Sequence, residues 1–181
     1  QDFESGVMEN WAVSNDLKGW YWGSAVAHDS EKSLYISNDE GYSNEYIDAN
    51  SYGYNYSYAY CRLNIDHPSV VRVQFDWRCY GRNYMDCLRV FLVPVSSNPY
   101  LNAGYDNGMS GSSYVPYGWL PTTNTIALSE YYVPGAGYNW QTNICDINVA
   151  NAEDYYLVFF WKNFIVDSHN PPAAVDNISV T

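Results

Sequence analysis

From residue 70 to residue 78 the chain reads V-V-R-V-Q-F-D-W-R, with Val71, Val73, Phe75 and Trp77 on one phase and Arg72, Gln74, Asp76 and Arg78 on the other. Side chains of an extended backbone alternate faces, so this period of two predicts a strand with one face in a core and the other toward polar surroundings. The same kind of segment recurs at 11–14, 19–27, 33–37, 87–95, 124–129, 140–149, 154–163 and 173–181. Nowhere do apolar residues fall at i, i+3, i+4 and i+7 for long enough to predict a helix. About ten short strands, divided by Gly, Pro, Asn and Ser, predict an all-β fold, a two-sheet antiparallel β-sandwich.

One segment carries a second pattern. In S-Y-G-Y-N-Y-S-Y-A-Y, Tyr52, Tyr54, Tyr56, Tyr58 and Tyr60 occupy every second position. The alternation continues into Arg62, Asn64 and Asp66 on the tyrosine phase and Cys61, Leu63 and Ile65 on the opposite one. The apolar phase belongs in the core, so Tyr58 and Tyr60 are expected on the outward face, at least partly open to solvent. Two stretches lack strand periodicity, 96–122 and 131–139. Both hold aromatic residues, and long aromatic loops in a compact domain are commonly functional. Tyr100, Tyr117 and Trp119 are expected to hold the first of them against the sandwich and to join a binding surface.

Composition narrows the choices. The 181 residues suit one domain spanning 1–181, and 20 Tyr against 6 Phe favour wet surfaces and interfaces, because Tyr joins an apolar body to a polar tip. A net charge of −12 argues against nucleic acid and anionic membranes as partners. The longest apolar run, residues 155–161, is strand-length and too short to span a bilayer, so no membrane insertion is expected. The chain opens at Gln1 with no signal peptide, as a mature or excised form would.

Cys61, Cys79, Cys87 and Cys145 are far apart with no CxxC spacing, which argues against zinc. They are either free buried thiols or include one disulfide, with Cys79–Cys87 the leading pair. No GxSxG, HExxH, phosphate-loop or dinucleotide fingerprint occurs. His28, His67 and His169 stand in polar contexts, and the acidic pairs Asp39/Glu40 and Glu153/Asp154 read as turn carboxylates rather than a glycosidase pair. No enzyme is expected.

Several segments together resemble a known family. D-F-E-S-G-V-M-E-N-W-A-V-S-N-D looks like the opening of bacterial cleaved-adhesin and related MAM-like jelly-roll domains. W-Q-T-N-I-C-D-I-N-V-A-N-A-E-D-Y-Y-L-V-F-F-W-K-N is similar to their late hairpin, and A-A-V-D-N-I-S-V-T to their closing strand. The tyrosine row and the 96–122 loop depart from the family pattern. The resemblance implies a jelly roll, secreted or on a bacterial cell surface and often one module of a longer protein, that serves adhesion or glycan binding.

It also implies a structural Ca²⁺ between the opening F-E and the closing D-N, here Glu4 and Asp176; Asp29, in the loop before residues 33–37, is expected to add a carboxylate, with carbonyls near Lys32 completing the shell. Two carboxylates drawn together this way repel unless a cation joins them. The expected ligand-binding set is Tyr58, Tyr60, Arg62, Tyr100, Tyr117 and Trp119, facing a glycan or surface glycoprotein. A protein–protein assembly module, or a spacer beside an enzyme domain with the tyrosines as cross-strand ladders, are the alternatives.

Overall fold

The computed structural model describes residues 3–4, 10–14, 19–46, 54–81, 86–96, 126–127, 139–164 and 169–181. Its strands are β1 (Trp11–Ser14), β2 (Gly19–Gly23), β3 (Ser33–Ser37), β4 (Tyr54–Ile65), β5 (Ser69–Arg78), β6 (Cys87–Pro94), β7 (Ile126–Ala127), β8 (Gln141–Val149), β9 (Glu153–Phe164) and β10 (Ala174–Val180). They form two five-stranded sheets, β1-β4-β9-β6-β7 (sheet A) and β2-β3-β10-β5-β8 (sheet B), with every pairing antiparallel. No helix occurs among the described residues, and none is long and apolar enough to cross a membrane.

The inward phases interlock as the alternation requires. Val71, Val73, Phe75 and Trp77 of β5 meet Leu88, Val90 and Leu92 of β6 and Leu157, Phe159 and Trp161 of β9, with Ala59 and Cys61 of β4 and Val175 of β10 in the same cluster. Phe75 and Phe159 pack edge to face at 5.2 Å, a favoured aromatic geometry. The buried indoles keep their N–H groups satisfied. Trp20 donates to the Ser57 carbonyl at 3.2 Å and Trp161 to the Tyr46 hydroxyl at 2.5 Å.

Strand lengths differ from expectation mainly at turns. The segment 19–27 is extended only to Gly23, because residues 24–32 leave the sheet and hydrogen-bond to β10 and β5 from the side. Of 124–129, only Ile126–Ala127 lies within the described residues and is a strand.

The first and last strands do not pair with each other. β1 pairs with β4 in sheet A, while β10 lies between β3 and β5 in sheet B. Phe3 is buried, its ring tilted against Trp11 at 5.9 Å between centroids, and its carbonyl accepts from the Trp22 indole at 2.9 Å. All four cysteines are free thiols. Burial pushes the Cys61 and Cys87 thiols up to about 12, so neither is a nucleophile at neutral pH.

Candidate functional site

The outward phase of sheet A is where the tyrosine row lies. Register sets Tyr58 opposite Phe160, Tyr60 opposite Val158 and Arg62 opposite Tyr156 across β4 and β9. On the other flank of β9, Phe91 faces Val158 and Val93 faces Tyr156. Tyr58 stacks on Phe160 at 5.1 Å and Tyr56 on the same ring at 6.1 Å, while Tyr60 meets Tyr156 edge-on at 5.3 Å. The result is a second apolar cluster, separate from the inter-sheet core.

The face was predicted correctly, but the exposure of Tyr58 was not. Tyr58 is only 5% exposed, and Phe91, Val158 and Phe160 are at 1% or less. A ring of β4 gains neighbours from two further strands on this face, and that density is invisible in β4 alone. Tyr56, Tyr60 and Tyr156 remain half-buried. Burial raises the Tyr60 hydroxyl above its ordinary value, with Tyr156 adding to the effect, so the Tyr60 hydroxyl stays neutral at physiological pH.

Arg62 stands at the open end of this face. Its Nε donates to Asp154 Oδ2 at 2.9 Å and its Nη2 reaches the same oxygen, while Asn64 donates to Oδ1 at 2.7 Å. The Asn64 and Arg62 hydrogen bonds hold the Asp154 carboxyl below the usual range. The carboxylate is thus occupied as a brace, and the guanidinium is fixed in orientation beside the tyrosine pair. At the opposite end, Lys162 and Arg89 share the outward phase and are nearly fully buried, the latter with its guanidinium 4.8 Å from the Phe91 ring. Desolvation lowers Lys162 from 10.5 to about 8, offset by Cys87 and Asp86.

The outward phase of sheet B is carboxylate-centred. β10 carries a register shift between Asp176 and Ser179, and Asn177 has φ of 50°. That bulge places the side chains of both Asp176 and Asn177 on one side while Val175 and Ile178 stay in the core. Asp176, fully buried, accepts from the His28 amide at 2.9 Å, the Ser30 hydroxyl at 2.9 Å and the Asn177 amide at 2.8 Å. Burial leaves its carboxyl raised above the ordinary value despite those bonds.

Asp76 lies beside it. Burial raises its carboxyl, but hydrogen bonds from Thr142, Asn177 and His28 outweigh that and leave it lowered. His28 Nδ1 lies 2.9 Å from Asp76 Oδ2, with its ring stacked on Trp140 at 5.3 Å. From the other side Glu4 Oε1 accepts the Glu31 and Lys32 amides at 3.0 and 2.8 Å.

Glu4 and Asp176 therefore both hold the 28–32 loop, Glu4 through the loop's backbone and Asp176 through the His28 amide and the Ser30 hydroxyl. Asp29, at φ of 56°, has a side chain 88% exposed and 3.7 Å from His28 Nε2; it is directed away from the other two. Among the described residues no three His, Cys, Asp or Glu side chains converge on a metal-sized space. Glu4, Asp176 and the Lys32 carbonyl, which accepts from Ser30 at 3.1 Å, supply the all-oxygen donors a hard cation takes.

Of the other expected residues, Tyr100, Tyr117 and Trp119 lie outside the described residues. Asp39 is a turn carboxylate, held by Ser37 and Ser43. Asp76 escaped sequence reasoning, although its position on the outward phase of β5 was legible and a lone carboxylate within a strand was the signal available.

The fold is a two-sheet antiparallel β-sandwich with an aromatic outer face on one sheet. No protein-family model matches the chain, and no curated protein matches it. Solved structures do. The K1 cleaved adhesin domain of Lys-gingipain from Porphyromonas gingivalis W83 superposes with a TM-score of 0.54 at 16% identity, over 100% of this chain and 95% of that one. The module TmCBM61, solved in complex with β-1,4-galactotriose, gives 0.51 at 11% identity, over 99% and 93%. A structure of carbohydrate-binding modules from the β-sandwich superfamily gives 0.59 at 10% identity, over 99% of this chain and 60% of that one. At these identities the likeness is one of fold.

Proposed function

We propose that this chain is a non-catalytic binding module for glycans or glycan-bearing surface molecules, acting outside the cell or on a bacterial surface as one module of a longer protein. The observation that carries the reading is the half-buried Tyr60–Tyr156 pair beside a braced Arg62 and Asn64. Sugar rings present apolar C–H faces that pack on aromatic rings, and their hydroxyls pair with guanidinium and amide groups held in place. Tyr58 contributes from beneath by supporting the exposed rings. Tyr100, Tyr117 and Trp119 are proposed as further contacts. A glycan array probed with the wild-type chain and with Tyr156→Ala tests the reading. Binding that is lost in the variant, with the thermal midpoint kept within a few degrees, supports it. An array without signal removes it.

A second reading has its own observation. Tyr58, Phe91, Val158 and Phe160 are closed to solvent, which suits a spacer whose rings serve only as a cross-strand ladder. Under that reading Tyr156→Ala lowers stability and changes no binding.

We also propose a structural Ca²⁺ held by Glu4, Asp176 and the Lys32 carbonyl, with Asp29 recruited on binding. Burial disfavours the charged form of Asp176 despite its hydrogen bonds, so a cation would help it ionise, and the ion would tie the first residues to the 28–32 loop and β10. Calcium should raise the thermal midpoint and EDTA lower it. Equal midpoints in both, with no calcium in the purified protein, would remove the site.

A further inference from the structure

At the end of the sandwich where β4 turns into β5 and β10 finishes, a cleft of about 400 Å³ opens between the sheets. Its floor is aliphatic, formed by Leu63, Ile65, Val71 and Val180, and its rim is polar, with Arg62, Asn64, Ser69, Thr181 and the paired Asp66 and His67. The volume falls at the lower end of the range for sites that engulf small ligands, and the mix of apolar floor with a few polar groups is the usual one. The cleft and the tyrosine pair share one residue. Arg62 lines the cleft and stands opposite Tyr156 in the register.

The shape of the space restricts what can occupy it. Ile65 and Val71 belong to the inter-sheet core, so the cleft is blind on that side, and Thr181 and Arg72 close its flank by exchanging backbone hydrogen bonds of 2.7 and 3.0 Å. A glycan lying along β4 can insert its end but cannot pass through. Arg62 is anchored to Asp154 through Nε and Nη2, which directs its remaining N–H groups away from that carboxylate. Asn64 gives its amide hydrogen to Asp154 and keeps a carbonyl oxygen as acceptor. A donor and an acceptor thus both belong to the cleft lining.

We propose that the cleft seats the terminal unit of a glycan, with the penultimate unit on Tyr60 and Tyr156 and Arg62 bridging the two. The module then recognises chain ends rather than chain interiors. This rests on the glycan-binding reading, and it specifies how that site is used.

The test starts from the array, which carries oligosaccharides and long polymers of the same linkage, β-1,4-galactan and β-1,4-xylan among them. For the linkage that binds, calorimetry with oligosaccharide and polymer counts protein molecules per chain, and the cleft-filling Ser69→Trp is compared with the wild type. Chain-end recognition gives one protein per polymer chain, and Ser69→Trp weakens binding at least about tenfold, equivalent to roughly 1.4 kcal/mol. Thr181→Trp serves if Ser69→Trp fails to fold. Many proteins per polymer chain, or unchanged affinity in a folded cleft-filled variant while Tyr156→Ala abolishes binding, overturns the chain-end inference and leaves the glycan reading intact. An array with no signal overturns both.

Discussion

The outward faces of the two sheets follow the same alternation yet end with opposite chemistry. On sheet A, Tyr58, Phe160, Phe91 and Val158 make a second apolar cluster with Lys162 and Arg89 buried at one end. On sheet B, the matching positions hold Asp76 and Asp176, and what packs over them is the 28–32 loop, fixed by directed hydrogen bonds. Apolar burial is non-directional and tolerates approximate fit, whereas a buried carboxylate must meet a donor with each oxygen or be strongly penalised. A sandwich can therefore use one outer face to present rings and the other to fix a loop.

The largest expected effect breaks the aromatic side. Phe160→Ala removes a fully buried ring that supports both Tyr56 and Tyr58, and should cost roughly 3–5 kcal/mol in urea unfolding. A loss below about 1 kcal/mol would mean that the outer cluster is not a true second core.

Lys162 gives the next effect, with opposite sign. Its folded-state pKa of about 8 lies below the ordinary 10.5. Between those values the unfolded chain holds a proton that the folded chain sheds, so stability from this group rises with pH across that window. Below about 8 the buried ammonium is a fixed cost. Lys162→Met should therefore gain up to about 3 kcal/mol at neutral pH and flatten the pH dependence. A Met variant less stable than wild type at neutral pH would show that the ammonium is well compensated.

On the polar side, Asp176→Ala leaves the His28 and Asn177 amides without their acceptor, while the Ser30 hydroxyl keeps the Lys32 carbonyl, at roughly 2–3 kcal/mol. Hydrogen exchange should speed up first at residues 28–32. If exchange there stays at wild-type rates, the loop is held by something other than these bonds. The smallest effect belongs to the exposed Arg72–Asp146 pair of sheet B, whose bonds of 2.7 and 2.8 Å are well formed but solvated. Arg72→Ala should leave the urea unfolding midpoint essentially unchanged, because water and salt screen exposed pairs. A clear drop would mean that the open part of this face is more cooperative than its exposure suggests.

What the sequence determined is what a period of two can encode. It separated Cys61, Leu63 and Ile65 from Tyr58, Tyr60 and Arg62 and set the facing of β5. Both are properties of a few adjacent residues. Tertiary structure decided the rest. Tyr58 is closed to solvent because β9 and β6 bring Phe160, Val158 and Phe91 beside it, and the blind cleft exists because β10 ends against β5 where β4 has just turned. Glu4 and Asp176 serve one loop although β1 and β10 lie in different sheets. Facing is fixed by backbone geometry within a strand, but burial depends on partners from distant parts of the chain, and no local pattern records which partners those are.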